Sequence, residues 1–288
     1  MMHRWQVTDR LLTIEHRPLV MGIVNVTPDS FADGGKYFGV DAAVTKGLEL
    51  IQEGADILDI GGESTRPGAA AVPWEEELRR VVPAVAGLAR QTKVPLSVDT
   101  SKAEVARASL AAGAHIINDV TALAGDPNMA EVVRQSKAGL ILMHMKGTPA
   151  TMQLDPRYDD VVAEIGRFFE ERLHQAAEAG IPAERTVLDP GIGFGKTSDH
   201  NLEILARLGD FQRFGRPICL GVSRKGFVGR LLNNRPSERR LAGSLAALCY
   251  AMSHRAVQIV RVHDVEQSRD AVNIIASIQE WEGAGSGN

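Results

Sequence analysis

Eight short apolar runs, alternating with stretches of helical spacing along 288 residues, predict an α/β protein: a (β/α)8 (TIM) barrel with a short N-terminal hairpin. The runs are 19–24, 56–60, 95–98, 115–117, 139–143, 186–188, 217–222 and 256–262. They are rich in Val, Ile and Leu with little alternation, as expected of parallel strands buried on both faces. Between them, Ala42, Ala43, Val44, Leu48 and Ile51 recur with helical apolar spacing. Val161, Val162, Ile165, Phe168, Phe169 and Leu173 do the same further on. Glycine or proline closes several of these helices, at Gly54, Gly113, Gly180 and Pro182. The leading Trp5, Val7, Leu11, Leu12 and Ile14 are expected to form the hairpin, placed under the barrel floor. An open doubly wound sheet is the alternative, but the GxGxxG turn it needs after its first strand is missing.

The composition, 44% hydrophobic and 24% charged with a net charge of -4, is that of an ordinary globular chain and gives nucleic acid no basic surface. The N-terminus has no apolar signal core, and no uninterrupted apolar run is long enough to span a bilayer, so the expected location is the cytoplasm. Cys219 and Cys249 lie in apolar surroundings and read as small core residues, neither a zinc site nor a disulfide framework. With no linker to divide the chain, residues 1–282 are expected to form a single domain and 283–288 a flexible tail.

A glycine-rich stretch ending Gly195-Lys196-Thr197 resembles a phosphate loop at first sight. The position where that motif needs its first glycine holds Pro190, which lacks the backbone donor such a loop uses. The strand ends carry a better signal. They finish in Asn25, Glu63-Ser64-Thr65-Arg66, Asp99, Asn118-Asp119, His144, Asp189, Ser223-Arg224-Lys225 and Arg261-Val262-His263. In a (β/α)8 barrel these ends converge on the one face where active sites are built. A single Asp after a strand is commonly a helix N-cap, which is an open reading for Asp99 and the favoured one for Asp119.

Asp99, Asn118 and Asp189 are short polar groups suited to a flat heterocycle bearing several N–H donors. Lys225 can donate to a ring carbonyl or nitrogen, and Arg261 can stack on a ring while its edge faces an anion. His263 points the same way as Arg261, so Arg261, His263 and Asn25 read as an anion site, with a salt bridge to a neighbouring helix as the bland alternative for Arg261. His144, between Met143 and Met145, reads as a packed histidine.

Taken in order, "MGIVNVTPDSFADGG", "DIGGESTRPGA", "SVDT", "IINDV", "LMHMKGTPATMQ", "LDPGIGFGKT…HN", "VSRKGFVG" and "VRVHDV" resemble the dihydropteroate synthases from about Leu19 to Ser277. That family joins 6-hydroxymethyl-7,8-dihydropterin pyrophosphate to p-aminobenzoate in folate synthesis. The resemblance implies that Asp99, Asn118, Asp189 and Lys225 hold the pterin, that Arg261 covers one of its faces, and that Met143 and Phe194 line the pocket. Asn25, Thr65, Arg261 and His263 would hold the pyrophosphate, with Mg²⁺ near Asn25. The loop after Asn25 and the "GGESTRPG" loop would form a mobile lid carrying Phe31, Asp33, Ser64 and Pro67. Asp33, Arg66, Lys225, Arg261 and His263 are the implied catalytic positions, and a homodimer is implied for the assembly. The chemistry implied is dissociative: the dihydropterin stabilises a positive methylene carbon while the protein stabilises the departing pyrophosphate.

The family frequently has Ser after the pterin lysine, where this chain has Gly226, so a hydroxyl contact to p-aminobenzoate and any sulfonamide response stay open. Two other readings stay open beside the synthase. A pterin-binding methyltransferase domain would need neither Arg261-Val262-His263 nor the two anion-facing loops. A non-catalytic pterin-binding barrel would typically have damaged lid loops.

Overall fold

The computed structural model describes residues 2–27, 36–65 and 68–285. An antiparallel hairpin, β1 (His3–Val7) and β2 (Arg10–Ile14), precedes the barrel. The barrel strands are β3 (Leu19–Asn25), β4 (Ile57–Gly61), β5 (Leu96–Asp99), β6 (Ile116–Asp119), β7 (Gly139–Met143), β8 (Thr186–Asp189), β9 (Cys219–Leu220) and β10 (Ile259–Val262). Around them lie α1 (Lys36–Gln52), α2 (Trp74–Ala89), α3 (Ala103–Ala111), α4 (Met129–Ser136), α5 (Val161–Glu178), α6 (Ser198–Ala206), α7 (Gly226–Leu231), α8 (Leu241–Ser253) and α9 (Val265–Gly285). The parallel order β8-β7-β6-β5-β4-β3-β10-β9 is closed by a bridge between Leu188 and Ile218. This is the expected (β/α)8 barrel with its hairpin.

The main departure is at the closing seam. The run 217–222 yields only Cys219–Leu220 as strand, opposite Ile259 and Val260; at its start Pro217 has no N–H to give and contributes only its carbonyl, 3.0 Å from Leu188 N. At the other end, α9 runs to Gly285, so three residues expected in the tail are helical; 286–288 lie outside the described residues. No described helix is long and apolar enough to cross a membrane.

Strand side chains alternate between two cores. Val20, Val24, Leu58, Ile60, Val98, Ile117, Leu140 and Leu188 point outward into the layer shared with the helices. Met21, Ile57, Ile116, Ile141, Val187, Cys219 and Ile259 point inward and form an apolar floor. The hairpin seals that floor from below with Trp5, Val7 and Ile14. Trp5 is fully buried, and its indole N–H donates to the carbonyl of Arg185 at 2.9 Å. Truncating a buried ring of this size costs about 3–5 kcal/mol, so the hairpin is a fixed plug. One step above the floor, the inward positions become polar, and the site begins there.

Candidate active site

Two residues beyond Ile57 on β4, the alternation turns Asp59 inward, fully buried. Its Oδ2 accepts from Arg261 Nε at 2.6 Å and from Asn118 Nδ2 at 3.1 Å. Arg261 Nη2 donates to Asp99 Oδ2 at 2.7 Å. One guanidinium therefore bridges two strand-end carboxylates across the barrel mouth. The salt bridge considered for Arg261 exists, but inside the barrel and not to a helix. Asp99 is not a helix cap either, since the N-cap of α3 is Lys102 with no side-chain bond. Burial pushes the Asp99 carboxyl up to about 7, with Arg261 opposing and Asp59 reinforcing the rise.

Asp189, on the last position of β8, is buried, and its Oδ1 accepts the Gly191 N–H at 2.7 Å. Burial raises its pKa against the pull of that bond and of Lys225 and Arg261. Lys225 follows Arg224, which holds a left-handed φ of +58°. A non-glycine residue in that region costs about 1–2 kcal/mol. Asp264 offsets this cost by pairing with the Arg224 guanidinium (Nε to Oδ2, 3.0 Å), while Ser244 Oγ accepts its backbone N–H at 2.9 Å. The turn aims Lys225 into the mouth, where its ammonium lies 4.0 Å from the Phe194 ring centroid. Burial, then the neighbouring Arg261, lowers the Lys225 pKa to about 8.

Met143 and Phe194 pack with Val120 and Met152 into a small apolar cluster beside these groups. His263 sits next to Ser223, with Nδ1 3.1 Å from Ser223 Oγ. Burial and Arg261 push His263 down to about 4, so at neutral pH it offers an anion an N–H and no charge. Asn25 ends β3 opposite Gly61 and is half-buried, as are Ser64 and Thr65 beyond β4. Phe31, Asp33, Arg66 and Pro67 lie outside the described residues.

Asp119 turns out to be a loop anchor. Its carboxylate takes the N–H groups of Thr121 (2.8 Å) and Leu123 (2.7 Å). His144 is the packed residue expected, edge-on to Phe168 at 4.9 Å. Lys196 is fully buried, so it cannot serve a phosphate loop.

Two features escaped the sequence reading. Asp59 was hidden within an apolar run, although its parity with Ile57 on the strand was a usable signal. The second is the footing of the "GGESTRPG" loop. Lys102 pairs with both Glu63 and the fully buried Glu77, and Glu63 Oε1 accepts the Val72 N–H at 2.9 Å. Arg80 Nη1 holds the Gly62 carbonyl at 2.9 Å, and Gly68 N donates to the Pro149 carbonyl at 3.0 Å.

A cluster of buried carboxylates, an amide and a lysine above a dry barrel floor suits a flat, donor-rich ring. Residues 21–263 match the family model described as pterin binding enzyme. Dihydropteroate synthase of Escherichia coli K12 is 50% identical over 264 residues, 92% of each chain. Dihydropteroate synthase of Xanthomonas albilineans, solved with 4-aminobenzoic acid, has a TM-score of 0.90 at 50% identity, covering 97% of this chain and 99% of that one. A structure of the Xanthomonas albilineans enzyme in complex with 7,8-dihydropteroate has a TM-score of 0.86 at 47% identity, over 96% and 98% of the two chains. With the site's chemistry and these likenesses together, the chain belongs to the pterin-binding enzymes and, among them, to the dihydropteroate synthases.

Proposed function

We propose that the strand-end cluster condenses 6-hydroxymethyl-7,8-dihydropterin pyrophosphate with p-aminobenzoate through the following division of labour. Asp189, Asn118 and Asp99 take the N–H donors of the pterin, Lys225 donates to its ring, and Met143 and Phe194 line its edge. The observation that carries this reading is the Arg261 bridge between Asp59 and Asp99. It holds a guanidinium plane at the mouth, beside the place where a leaving anion must emerge. The aromatic amine of p-aminobenzoate is unprotonated at neutral pH and needs little help from a base. The hard step is breaking the methylene C–O bond, whose electron pair leaves with pyrophosphate. The amine nitrogen then bonds to the methylene carbon and loses a proton. Arg261, Thr65 and the His263 N–H would stabilise the departing charge. Asp33 and Arg66, with Phe31, Ser64 and Pro67, are assigned to the lid that closes over the reacting pair.

Among the described residues no group of three or more His, Cys, Asp or Glu could hold a metal ion. Mg²⁺ binds well through one or two protein oxygens when substrate phosphates supply the rest, and the half-buried Asn25 amide oxygen at the end of β3 fits that role. Mg²⁺ held there would neutralise charge on the leaving pyrophosphate.

We assign a homodimer on the exposed Leu202, Leu231, Tyr250, Ile274, Ile278 and Trp281, which lie on the successive helices α6 to α9. A cytoplasmic location is supported by the two free cysteines.

The test is pyrophosphate release by the purified protein with the pterin pyrophosphate, p-aminobenzoate and Mg²⁺, each omitted in turn. Release without p-aminobenzoate at the full rate would reduce the reading to a hydrolase.

Gly226 gives a finer probe. A Cβ there would lie 3.4 Å from the flexible end of Arg230, so Ser fits. One added neutral hydrogen bond is worth about 0.5–1.5 kcal/mol, roughly a two- to twelvefold lower KM for p-aminobenzoate in Gly226→Ser, with kcat unchanged. An unchanged KM would place the aminobenzoate away from this position.

A further inference from the structure

Lys196 is fully buried, with hydrogen bonds to a histidine ring and two backbone carbonyls and Asp189 as the nearest opposing charge acting on it. Its Nζ is 2.9 Å from His144 Nδ1, 3.3 Å from the His144 carbonyl and 3.0 Å from the Phe194 carbonyl. Burial, then Lys196 and Lys146, push His144 down to about 2, so its ring is neutral and Nδ1 can accept. Burial pushes the Lys196 amine well below the ordinary lysine range, and its N–H groups face two backbone carbonyls and the ring nitrogen. These acceptors belong to two separate segments, the end of β7 and the loop 190–197.

The two segments meet backbone to backbone. A Cβ on Gly191 would collide with the His144 carbonyl, and one on Gly195 with the Lys146 carbonyl. Further clasps hold the same loop: Gln153 Nε2 donates to the Gly193 carbonyl at 2.7 Å, and Tyr158 Oη to the Gly195 carbonyl at 2.9 Å. Asn201 Oδ1 accepts the Gly193 N–H at 2.7 Å. The loop carries Phe194, the ring that faces the Lys225 ammonium.

We propose that Lys196 is a positioning residue for the condensation: it clamps the loop 190–197 to the end of β7, so that Phe194 stays over Lys225 and the pterin finds that lysine already aimed. The inference rests on the pterin role assigned to Lys225. Stability alone is a poor reason for such a residue, since each hydrogen bond that the buried amine makes replaces one to water and nets only about 0.5–1.5 kcal/mol. Lys196 spans the pocket wall instead, and a displacement of about 1 Å at such a site can cost on the order of a hundredfold in rate.

The experiment uses Lys196→Met and Gln153→Ala in the full chain. In folded Lys196→Met, the amides of 191–195 should exchange with solvent at least about tenfold faster, and KM for the pterin pyrophosphate should rise by about tenfold or more, with a smaller change in kcat. The pH dependence of pterin affinity supplies a readout that a purely structural lysine would not move. In the wild type, affinity falls as Lys225 loses its proton near pH 8; in the variant, water reaches Lys225 and the fall shifts upward. Gln153→Ala, at an exposed side chain, should fold normally and move all three readouts the same way by less.

Wild-type exchange, KM and pH limb in Lys196→Met would overturn the proposal. Should that variant not fold, an unaltered Gln153→Ala would overturn it. Absence of pyrophosphate release by the wild type would refute the functional reading separately, and amide exchange would still decide whether Lys196 clamps the loop.

Discussion

Asp189→Asn should lose pterin binding by more than a hundredfold while remaining folded. Asp189 is buried at the end of β8, and one of its oxygens is already committed to the Gly191 N–H. Asn keeps an oxygen for that backbone bond, so the loop holds. The substitution turns the other oxygen into an N–H₂, which in the proposed pterin role of Asp189 would face a heterocycle that also brings N–H groups. A hydrogen bond to a charged group contributes about 1.5–3 kcal/mol, and an opposed donor pair adds an unmet buried group of about 1–3 kcal/mol. Together these come to about 2.5–6 kcal/mol, centred well above the roughly 2.8 kcal/mol that corresponds to a hundredfold. Asp189→Ala should lose the pterin equally and also free the Gly191 amide, so its loop alone should show faster exchange. Calorimetric titration with the pterin pyrophosphate decides, and wild-type affinity in folded Asp189→Asn would remove this carboxylate from the pocket.

Arg261→Met should be the most destabilising change at the mouth, by about 3–5 kcal/mol at pH 8. The guanidinium is the shared partner of Asp59 and Asp99, at 2.6 and 2.7 Å. Without it, two buried carboxylates lose their shared partner, leaving Asp59 the Asn118 amide and Asp99 only the more distant pull of Lys225. The deficit should depend on pH in a defined direction. Asp99 has a folded pKa of about 7, above its ordinary 3.8, so the fold holds this proton more tightly than the unfolded chain does. That contribution favours the fold at low pH and is lost as pH rises from about 4 to 7. Removing Arg261 pushes Asp99 higher still and extends the loss to higher pH. Urea unfolding should therefore show a smaller gap between variant and wild type at pH 5.5 than at pH 8. Equal gaps at both values would mean that Asp99 does not carry the change. Arg261→Lys should recover little, because one ammonium cannot replace the forked pair of donors.

The barrel was legible in the sequence because parallel strands buried on both faces leave uninterrupted apolar runs, and each run ended in a polar residue. Asp99, Asn118, Asp189, Lys225 and Arg261 could be found for that reason, since they stand where the apolar pattern stops. Asp59 stands inside a run, and only the side of the strand it occupies marks it as part of the site. What Arg261 grips was equally hidden: β10 is distant in sequence from β4 and β5, and only its pairing with β3 brings its guanidinium to the carboxylates of those two strands. Lys196 was legible as a lysine in a glycine loop but not as a buried one, because its acceptors are backbone carbonyls and a histidine 52 positions away.

The tryptophan beneath the floor joins the first residues of the chain to nearly the last. Trp5 is made early in synthesis, yet the apolar floor it belongs to runs on to Ile259. During translation it therefore stays in water, an unspent apolar surface, at least until Arg185 has been made and its carbonyl can take the indole N–H. Contacts across such sequence distances form slowly, because loop-closure entropy opposes them first. Of the three tryptophans, Trp74 and Trp281 remain exposed in the finished fold while Trp5 is fully buried. With Trp281 replaced by Phe, so that assembly adds no indole burial, the blue shift of emission on refolding is accordingly a clock for the docking of the hairpin beneath the barrel floor.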